Sequence, residues 1–251
     1  MSRYQASLIH LFISALFVGG VVATVYWSWY PEPTFGIVGV LPIILMLIGV
    51  DLVLGPLLTL IVYKHGKPGL KFDLSVIALV QIVALVYGAN TLHQEKPHYL
   101  VFVIDRLEFV SQDHIDPMIM RFEESQTEQF AGLVQVFARR PEDPEEFQRF
   151  FDSIFVDGRP DLERRPEYWE PWSDGADIIR EQIRPIEEID PESPDEQKNL
   201  LRAIEENSGD HPNLGVLPVG GILEDVGMLV DRDTLEIIDV IYANPWPREE
   251  T

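Results

Sequence analysis

Three long apolar runs occupy the first 96 residues of this 251-residue chain. They extend from Leu8 to Tyr26, from Ile37 to Tyr63 and from Leu74 to Leu92. A helix needs about 20 predominantly apolar residues to cross the ~30 Å hydrocarbon core of a bilayer. We therefore expect residues 1–96 to form an α-helical membrane domain with three transmembrane helices.

Residues 97–251 have a different composition. They contain 14 Lys and Arg against 37 Asp and Glu, whereas residues 1–96 contain 5 against 4. A segment of this length is large enough to bury a core of its own. Its acidity argues against nucleic-acid binding, which requires a basic surface. We expect a separate, acidic, soluble domain.

The pattern within residues 97–251 predicts an α+β fold. Tyr99–Asp105 and Arg106–Val110 form a predicted hairpin, and strand signals recur at 214–219, 226–231 and 236–242. Helix signals lie between these groups, at 144–154, at 174–189 with an interruption at Pro185, and after Ser193, which has the pattern of an N-cap. The aromatic residues of 159–172 are expected to pack on the core.

The charges of the short loops predict the orientation of the helices. Lys64, His65, Lys67 and Lys71 lie between the second and third runs, whereas the loop between the first and second carries only Glu32. Because Lys and Arg mark the cytoplasmic side, we expect a cytoplasmic N-terminus. Three crossings then place the acidic domain outside the cytoplasm.

The first run has two interpretations. A cleaved signal peptide would fit the basic start at Arg3, but the apolar core of a signal peptide has only about 7–15 residues. Here 19 residues without a charged side chain are followed by Trp27, Trp29 and Tyr30, which are typical of an interfacial aromatic belt together with Tyr26. We expect the segment to be retained as a transmembrane helix.

The middle run carries a single carboxyl group, Asp51, near its centre. A charged side chain at that depth costs roughly 2.5–3.5 kcal/mol on insertion scales. Pro56 is the expected kink site, because it cannot donate a hydrogen bond to the carbonyl of Leu52. Gly49 and Gly55 flank the carboxyl group and would allow another helix to approach closely.

Three roles for Asp51 remain open from the sequence. It is a neutral carboxyl group hydrogen-bonded inside the bundle, a contact for the membrane segment of a partner, or a group that handles protons or ions. Gln81 is the expected internal partner, because antiparallel second and third helices bring it to within about one turn of Asp51.

Sequence motifs of enzymes are absent. The chain has no cysteine, no phosphate-binding glycine loop and no zinc-protease helix motif. An intramembrane aspartyl protease needs two carboxyl groups that share a proton, and Asp73 lies at the membrane boundary. Asp113, His114 and Asp116 are typical of a solvated loop, and Asp231–Asp233 of a turn. We expect no catalytic site, no metal and no cofactor.

Several segments resemble those of a known family. They are the residues from Gly49 to Val62 with the basic turn and Leu70–Gly88 that follow, then Tyr99–Arg106, Arg165–Tyr168, Gly215–Pro218 and Asn244–Trp246. In this order they closely resemble the type IV pilin accessory proteins of the TfpX/TfpZ group. The Asp51–Pro56 motif is the most specific part of the resemblance.

The resemblance implies a bacterial inner-membrane protein with a periplasmic domain that assists type IV pilin during assembly, with no enzymatic activity. Its expected partners are pilin and the lipid bilayer. Asp51, Gly49, Gly55, Pro56 and Gln81 are the expected site of partner contact or of polar packing in the bundle. A membrane-tethered periplasmic sensor is the alternative, and the oligomeric state remains open.

Overall fold

The computed structural model describes residues 1–220 and 226–246, apart from the side chain of Pro117. The chain divides into two compact units, Met1–Lys96 and Pro97–Thr251. The last five residues of the predicted second domain and residues 221–225 lie outside the described part.

The first unit is built from helices. They are α1 Arg3–Thr24, α2 Thr34–Ile37, α3 Leu41–Ile48, α4 Gly55–Val62 and α5 Leu70–Gln94, with π-helical turns at Val25–Trp29 and Gly49–Leu54. Three continuous helical segments, Arg3–Trp29, Leu41–Val62 and Leu70–Gln94, are long and apolar enough to cross a membrane. The expectation of three such helices is confirmed by length and composition.

The second of these segments is shorter than the sequence indicated. The chain turns at Gly39, which has a φ of 76°, and the helix begins at Leu41 instead of Ile37. At 1.5 Å per residue its 22 residues measure about 33 Å, whereas a helix over the whole apolar run from Ile37 to Tyr63 would measure about 40 Å. The apolar residues before Gly39 form the separate short helix α2.

The third segment starts earlier than expected. Helix α5 begins at Leu70 after Gly69, whose φ is 82°, and no side chain caps it. Asp73 and Ser75, which precede or begin the apolar run, are therefore inside the helix. Asp73 pairs with Lys67 at 2.6 Å, and the Ser75 hydroxyl donates to the Lys71 carbonyl. The N-cap position is occupied by Gly69, which adopts the left-handed conformation readily but has no side chain that could cap the helix.

The expected aromatic belt is divided between two environments. Tyr26 and Trp27 are exposed, whereas Tyr30 is buried and its hydroxyl donates to the Leu92 carbonyl at 2.8 Å. Trp29 packs edge-on against His93. The π-helical turn at Val25–Trp29 precedes these contacts, so the end of the first segment packs against α5.

The second unit is a mixed sheet with helices, as the α+β expectation requires. Its strands are β1 Pro97–Val103, β2 Arg106–Ser111, β3 Gln129–Phe130, β4 Leu133–Ala138, β5 Trp169–Pro171, β6 Arg184–Pro185, β7 Leu214–Val219, β8 Val226–Asp231 and β9 Ile237–Ile241. The order is β3-β4-β1-β2-β7-β8-β9, with β5 paired to β4 and β6 to β7. The pairs β1–β4 and β2–β7 are parallel, and the others are antiparallel.

The predicted hairpin of β1 and β2 is confirmed, and so are the strands β7, β8 and β9. The strand β4 was not expected, although it is buried along its whole length and pairs with β1 in parallel. A strand buried on both faces is a short apolar run without alternation, so periodicity does not distinguish it from other buried segments.

The helices of this unit are α6 Pro144–Phe155, α7 Ala176–Gln182 and α8 Pro194–Asn207. The Ser193 hydroxyl accepts the amide of Glu196, which confirms the predicted N-cap of α8. The helix expected over 174–189 is interrupted near Pro185, as expected, but α7 already ends at Gln182 and Arg184–Pro185 pairs with β7. A residue before proline avoids the helical region, which favours that extended pair.

Candidate functional site in the membrane helices

A chain of polar side chains links the three long helical segments. Gln81 in α5 donates from Nε2 to Oδ1 of Asp51 at 3.0 Å. Gln81 Oε1 lies 2.6 Å from Nε2 of His10 in α1, and His10 Nδ1 lies 2.5 Å from the Thr59 hydroxyl in α4. Asp51, Thr59 and Gln81 are buried and His10 is half-buried. We call these four residues the polar cluster.

The expected pairing of Asp51 with Gln81 is present, whereas the parts that His10 and Thr59 play in the cluster do not follow from the sequence pattern. His10 was counted as part of an apolar run because it carries no obligatory charge. The ring nitrogens of His10 are nevertheless polar groups within the 27-residue apolar helical segment Arg3–Trp29, and they require hydrogen-bond partners there. That requirement was the available signal for His10.

Pro56 leaves the backbone carbonyl of Asp51, and not that of Leu52, without an amide donor. The amide of Gly55 donates to the carbonyl of Val50, five residues back, which is the π-helical register. In that register the next amide, at position 56, would donate to the carbonyl of Asp51, and proline has none. Gln81 Nε2 donates to this carbonyl at 3.2 Å instead. The carbonyl left without a backbone donor is therefore that of Asp51 and not, as expected, that of Leu52.

The two glycines beside Asp51 have different surroundings. A Cβ on Gly55 would overlap the carboxamide of Gln81, so the absence of a side chain there allows α5 to reach Asp51. A Cβ on Gly49 would meet no atom within 4 Å. The close approach expected at both glycines occurs at Gly55 and does not occur at Gly49 within this chain.

Besides the bond between His10 and Thr59, another hydrogen bond joins α1 to Pro56. The Ser7 hydroxyl donates to the Pro56 carbonyl at 2.9 Å. Farther along the bundle, Gly88 of α5 lies against Leu47, and a Cβ at that position would come within 2.6 Å of Leu47 Cδ2. Small residues in α4 and α5 thus set the spacing at both levels.

One oxygen of the polar cluster has no partner. Asp51 is 3% exposed, and among the described residues nothing donates to or accepts from its Oδ2. Asp51 also lines a groove of about 350 Å³ whose walls come mainly from α1 and α5. The site therefore combines an apolar groove with an unsatisfied carboxyl oxygen.

Three curated proteins of Dichelobacter nodosus are similar to this chain. Those of serogroups I and E1, each named a fimbrial assembly protein, are 26% identical over 187 residues, or 72% of both chains. The fimbrial assembly protein of serogroups C1 and C2 is 30% identical over 114 residues, which are 44% of this chain and 86% of the relative. This chain belongs to the same family. No family model and no solved structure matches it.

Membership in the fimbrial assembly protein family bears out the pilus-related part of the resemblance. Two motifs that carried the resemblance have structural roles in the second unit. Arg165 is buried, donates to Glu167 and to the Ser153 hydroxyl, and lies 5.3 Å from the centroid of the Tyr168 ring. Trp246 stacks under Arg106 at 5.0 Å. These contacts lie within the second unit and stabilise its fold.

Aromatic residues of 159–172 pack inside the second unit, as expected. Trp169 and Trp172 are almost fully buried, and Trp172 Nε1 donates to the Leu235 carbonyl. Helix α6 presents a different arrangement, because Phe147, Phe151 and Phe155 form an exposed ladder of contacting rings. We call these three residues the phenylalanine ladder.

Acidic and histidine residues do not assemble into a metal site in the part of the chain that the structure describes. Asp113 and His114 form a short 3₁₀ turn capped by Ser111. Asp231 closes the β8–β9 turn by accepting the amides of Asp233 and Thr234. Both segments therefore have a local structural explanation.

Proposed function

We propose that this protein is an inner-membrane accessory protein that assists assembly of a type IV pilus through chaperone-like contact with pilin, as the TfpX/TfpZ resemblance implies. The observation that carries the proposal is the likeness to three proteins each named a fimbrial assembly protein. The proposed role is not enzymatic and involves no cofactor and no nucleic acid.

The polar cluster supports a contact inside the membrane. Helices in lipid associate through close packing of small residues and through hydrogen bonds, because lipid tails provide no hydrophobic driving force between helices. The bundle uses Gly55 and Gln81 in this way internally, and the Oδ2 atom of Asp51 is left over. A partner helix is one source of the missing hydrogen bond.

The proposed topology has a cytoplasmic N-terminus and a periplasmic second domain. Lys64, His65 and Lys67 lie in the linker between α4 and α5, which favours the cytoplasmic side for that linker. The acidic domain then meets the folded part of a pilin while the helices meet its membrane segment. Its mixed sheet gives it a core that is independent of the helical unit.

The test is deletion of this protein in its own host, followed by measurement of sheared surface pilin and of total pilin. Loss of surface pilin that a tagged wild-type copy restores, with pilin copurifying from detergent-solubilised membranes, supports the proposal. The matched purification control is the same tag on an unrelated protein with three spans. Normal piliation after deletion, or purification free of pilin, contradicts it.

A further inference from the structure

The groove beside the polar cluster opens between α1 and α5. Phe17 in α1 and Ile82 in α5 line it and are 61% and 59% exposed. Ser14 and Ala78 also line it, and their small side chains leave space between the two helices. A volume of about 350 Å³ lies at the lower end of the roughly 300–1,000 Å³ typical of ligand clefts.

Asp51 lies at the middle of its helical segment. Ten residues of Leu41–Val62 precede it and eleven follow it, so either end is about 15 Å away. A buried polar atom without a hydrogen bond is destabilising, and bilayer hydrocarbon provides neither donors nor acceptors. An occupant that brings a hydrogen-bonding group to this depth is therefore favoured over one that does not.

This requirement selects the kind of occupant. The acyl chain of a lipid has no hydrogen-bonding group, and the polar head of a lipid remains at the interface, about 15 Å from this level. A transmembrane helix of another protein can carry a hydroxyl, amide or ammonium group at any depth on an otherwise apolar face. Such a face also matches the apolar residues around the opening, Ile13, Phe17, Ile82 and Val86.

We infer that the groove between α1 and α5 is a lateral docking site for one transmembrane helix of a partner, which places a hydrogen-bonding group beside the Asp51 side chain that lines the groove. The inference rests on the proposed function, which makes that helix the membrane segment of pilin. It assigns the contact to the α1–α5 face and not to the exposed side of α4, where Leu57 and Ile61 lie.

Neighbouring residues provide a matched crosslinking test in piliated cells. A photo-crosslinking amino acid at Ile82 lies in the groove, whereas one at Val83 has the same 59% exposure and lies outside it. Phe17 and Leu16 form a second pair on α1, exposed by 61% and 68%. We expect Ile82 and Phe17 to trap pilin several-fold more than their neighbours, through peptides of its apolar helix.

A second set of variants keeps the photo-crosslinking residue at one position and changes the shape of the groove instead. Ala78→Phe fills the groove, whereas Leu79→Phe adds bulk on a neighbouring exposed position outside it. With the photo-crosslinking residue at Phe17, we expect Ala78→Phe to reduce the pilin product several-fold and Leu79→Phe to leave it unchanged. Membrane levels of each variant are measured alongside, and equal products at equal levels overturn the docking site.

The outcomes separate the inference from the proposed function. Three results would overturn the docking site. They are equal trapping of pilin at Ile82 and Val83, trapping of lipid or of a second copy of this chain at Ile82, and trapping of pilin only from Phe151 in the phenylalanine ladder. Each of these leaves the pilus-assembly role intact if deletion still removes surface pilin. Normal piliation after deletion overturns the function itself.

Discussion

The carbonyl of Asp51 receives from Gln81 the hydrogen bond that Pro56 cannot donate. The same Gln81 nitrogen also donates to Oδ1 of Asp51, so one side chain of α5 bonds to both the backbone carbonyl and one carboxyl oxygen of a residue thirty positions earlier. The proline, the π-helical turn and the glutamine are thus parts of a single arrangement.

This arrangement predicts coupling between positions 56 and 81. Gln81→Leu leaves the buried Asp51 carbonyl without a donor, whereas Pro56→Ala supplies a backbone amide that can replace it. We expect Gln81→Leu to destabilise the wild-type bundle by about 1–3 kcal/mol, and by about 1 kcal/mol less in the Pro56→Ala background. A double-mutant cycle of unfolding in detergent measures the difference. Strict additivity would show that Gln81 does not substitute for the missing amide.

The two glycines beside Asp51 predict opposite results. In Gly55→Ala the new Cβ displaces the Gln81 carboxamide, which is mobile but loses its bonds to Asp51 and His10 when it moves. Gly49→Ala meets no neighbour within 4 Å and removes a flexible residue from a helix. We expect Gly55→Ala to lower both thermal stability in detergent and surface pilin, and Gly49→Ala to change neither. Unchanged stability and unchanged surface pilin in Gly55→Ala would show that the polar cluster has no role in the function.

Substitution of Asp51 separates charge from hydrogen bonding. Asp51→Asn retains a side chain that can bond to Gln81, whereas Asp51→Leu retains only similar bulk. If the carboxyl group acts in its neutral form, Asp51→Asn should maintain surface pilin and Asp51→Leu should lose it at an unchanged membrane level. Equal loss in both variants would indicate an ionised or protonation-cycling group, and wild-type behaviour of Asp51→Leu would exclude a functional role.

The loop charges predict the result of reporter fusions. A reporter that is active only in the periplasm should be active after Thr251 and inactive within His65–Gly69, because the linker carries Lys64 and Lys67. Replacing Lys64, Lys67 and Lys71 by Gln is expected to weaken this preference. Activity of the linker fusion with an inactive C-terminal fusion would reverse the assigned orientation.

The turn between β8 and β9 predicts a stability effect in acid. Burial of Asp231 favours its neutral form, but the hydrogen bonds from Thr234, His211 and Asp233 outweigh it and hold the pKa of Asp231 below its ordinary value. The ionised carboxylate therefore stabilises the fold above a pH of about 4, and the contribution is lost as the pH falls through the lowered pKa.

Asp231→Asn tests this effect because it resembles the protonated acid in charge. We expect it to lower the free energy of unfolding by about 1 kcal/mol at neutral pH and by less at low pH, measured by tryptophan fluorescence. Asp177→Asn is the control, since the Asp177 side chain is fully exposed. A deficit of Asp231→Asn that does not shrink in acid would contradict the assigned ionisation.

The sequence predicted those features of the fold that depend on local patterns. The three long apolar helices, the β1–β2 hairpin and the Ser193 cap each follow from periodicity or from residues a few positions apart. The partnership of Asp51 and Gln81 also followed, because a short linker between antiparallel helices limits which residues can meet.

Other features required the tertiary structure. His10 joins the polar cluster through Thr59 and Gln81, which follow it by 49 and 71 positions. No local sequence pattern encodes contacts at such separations. Strand β4 pairs in parallel with β1, so its place depends on a crossover and not on a turn. The π-helical register at Gly49–Leu54 shifts the free carbonyl from Leu52 to Asp51. The sequence by itself determined that a carboxyl group lies deep among apolar helices; only the packing of three helices decided which of its oxygens is satisfied, because hydrogen bonds depend on distances that helix periodicity does not specify.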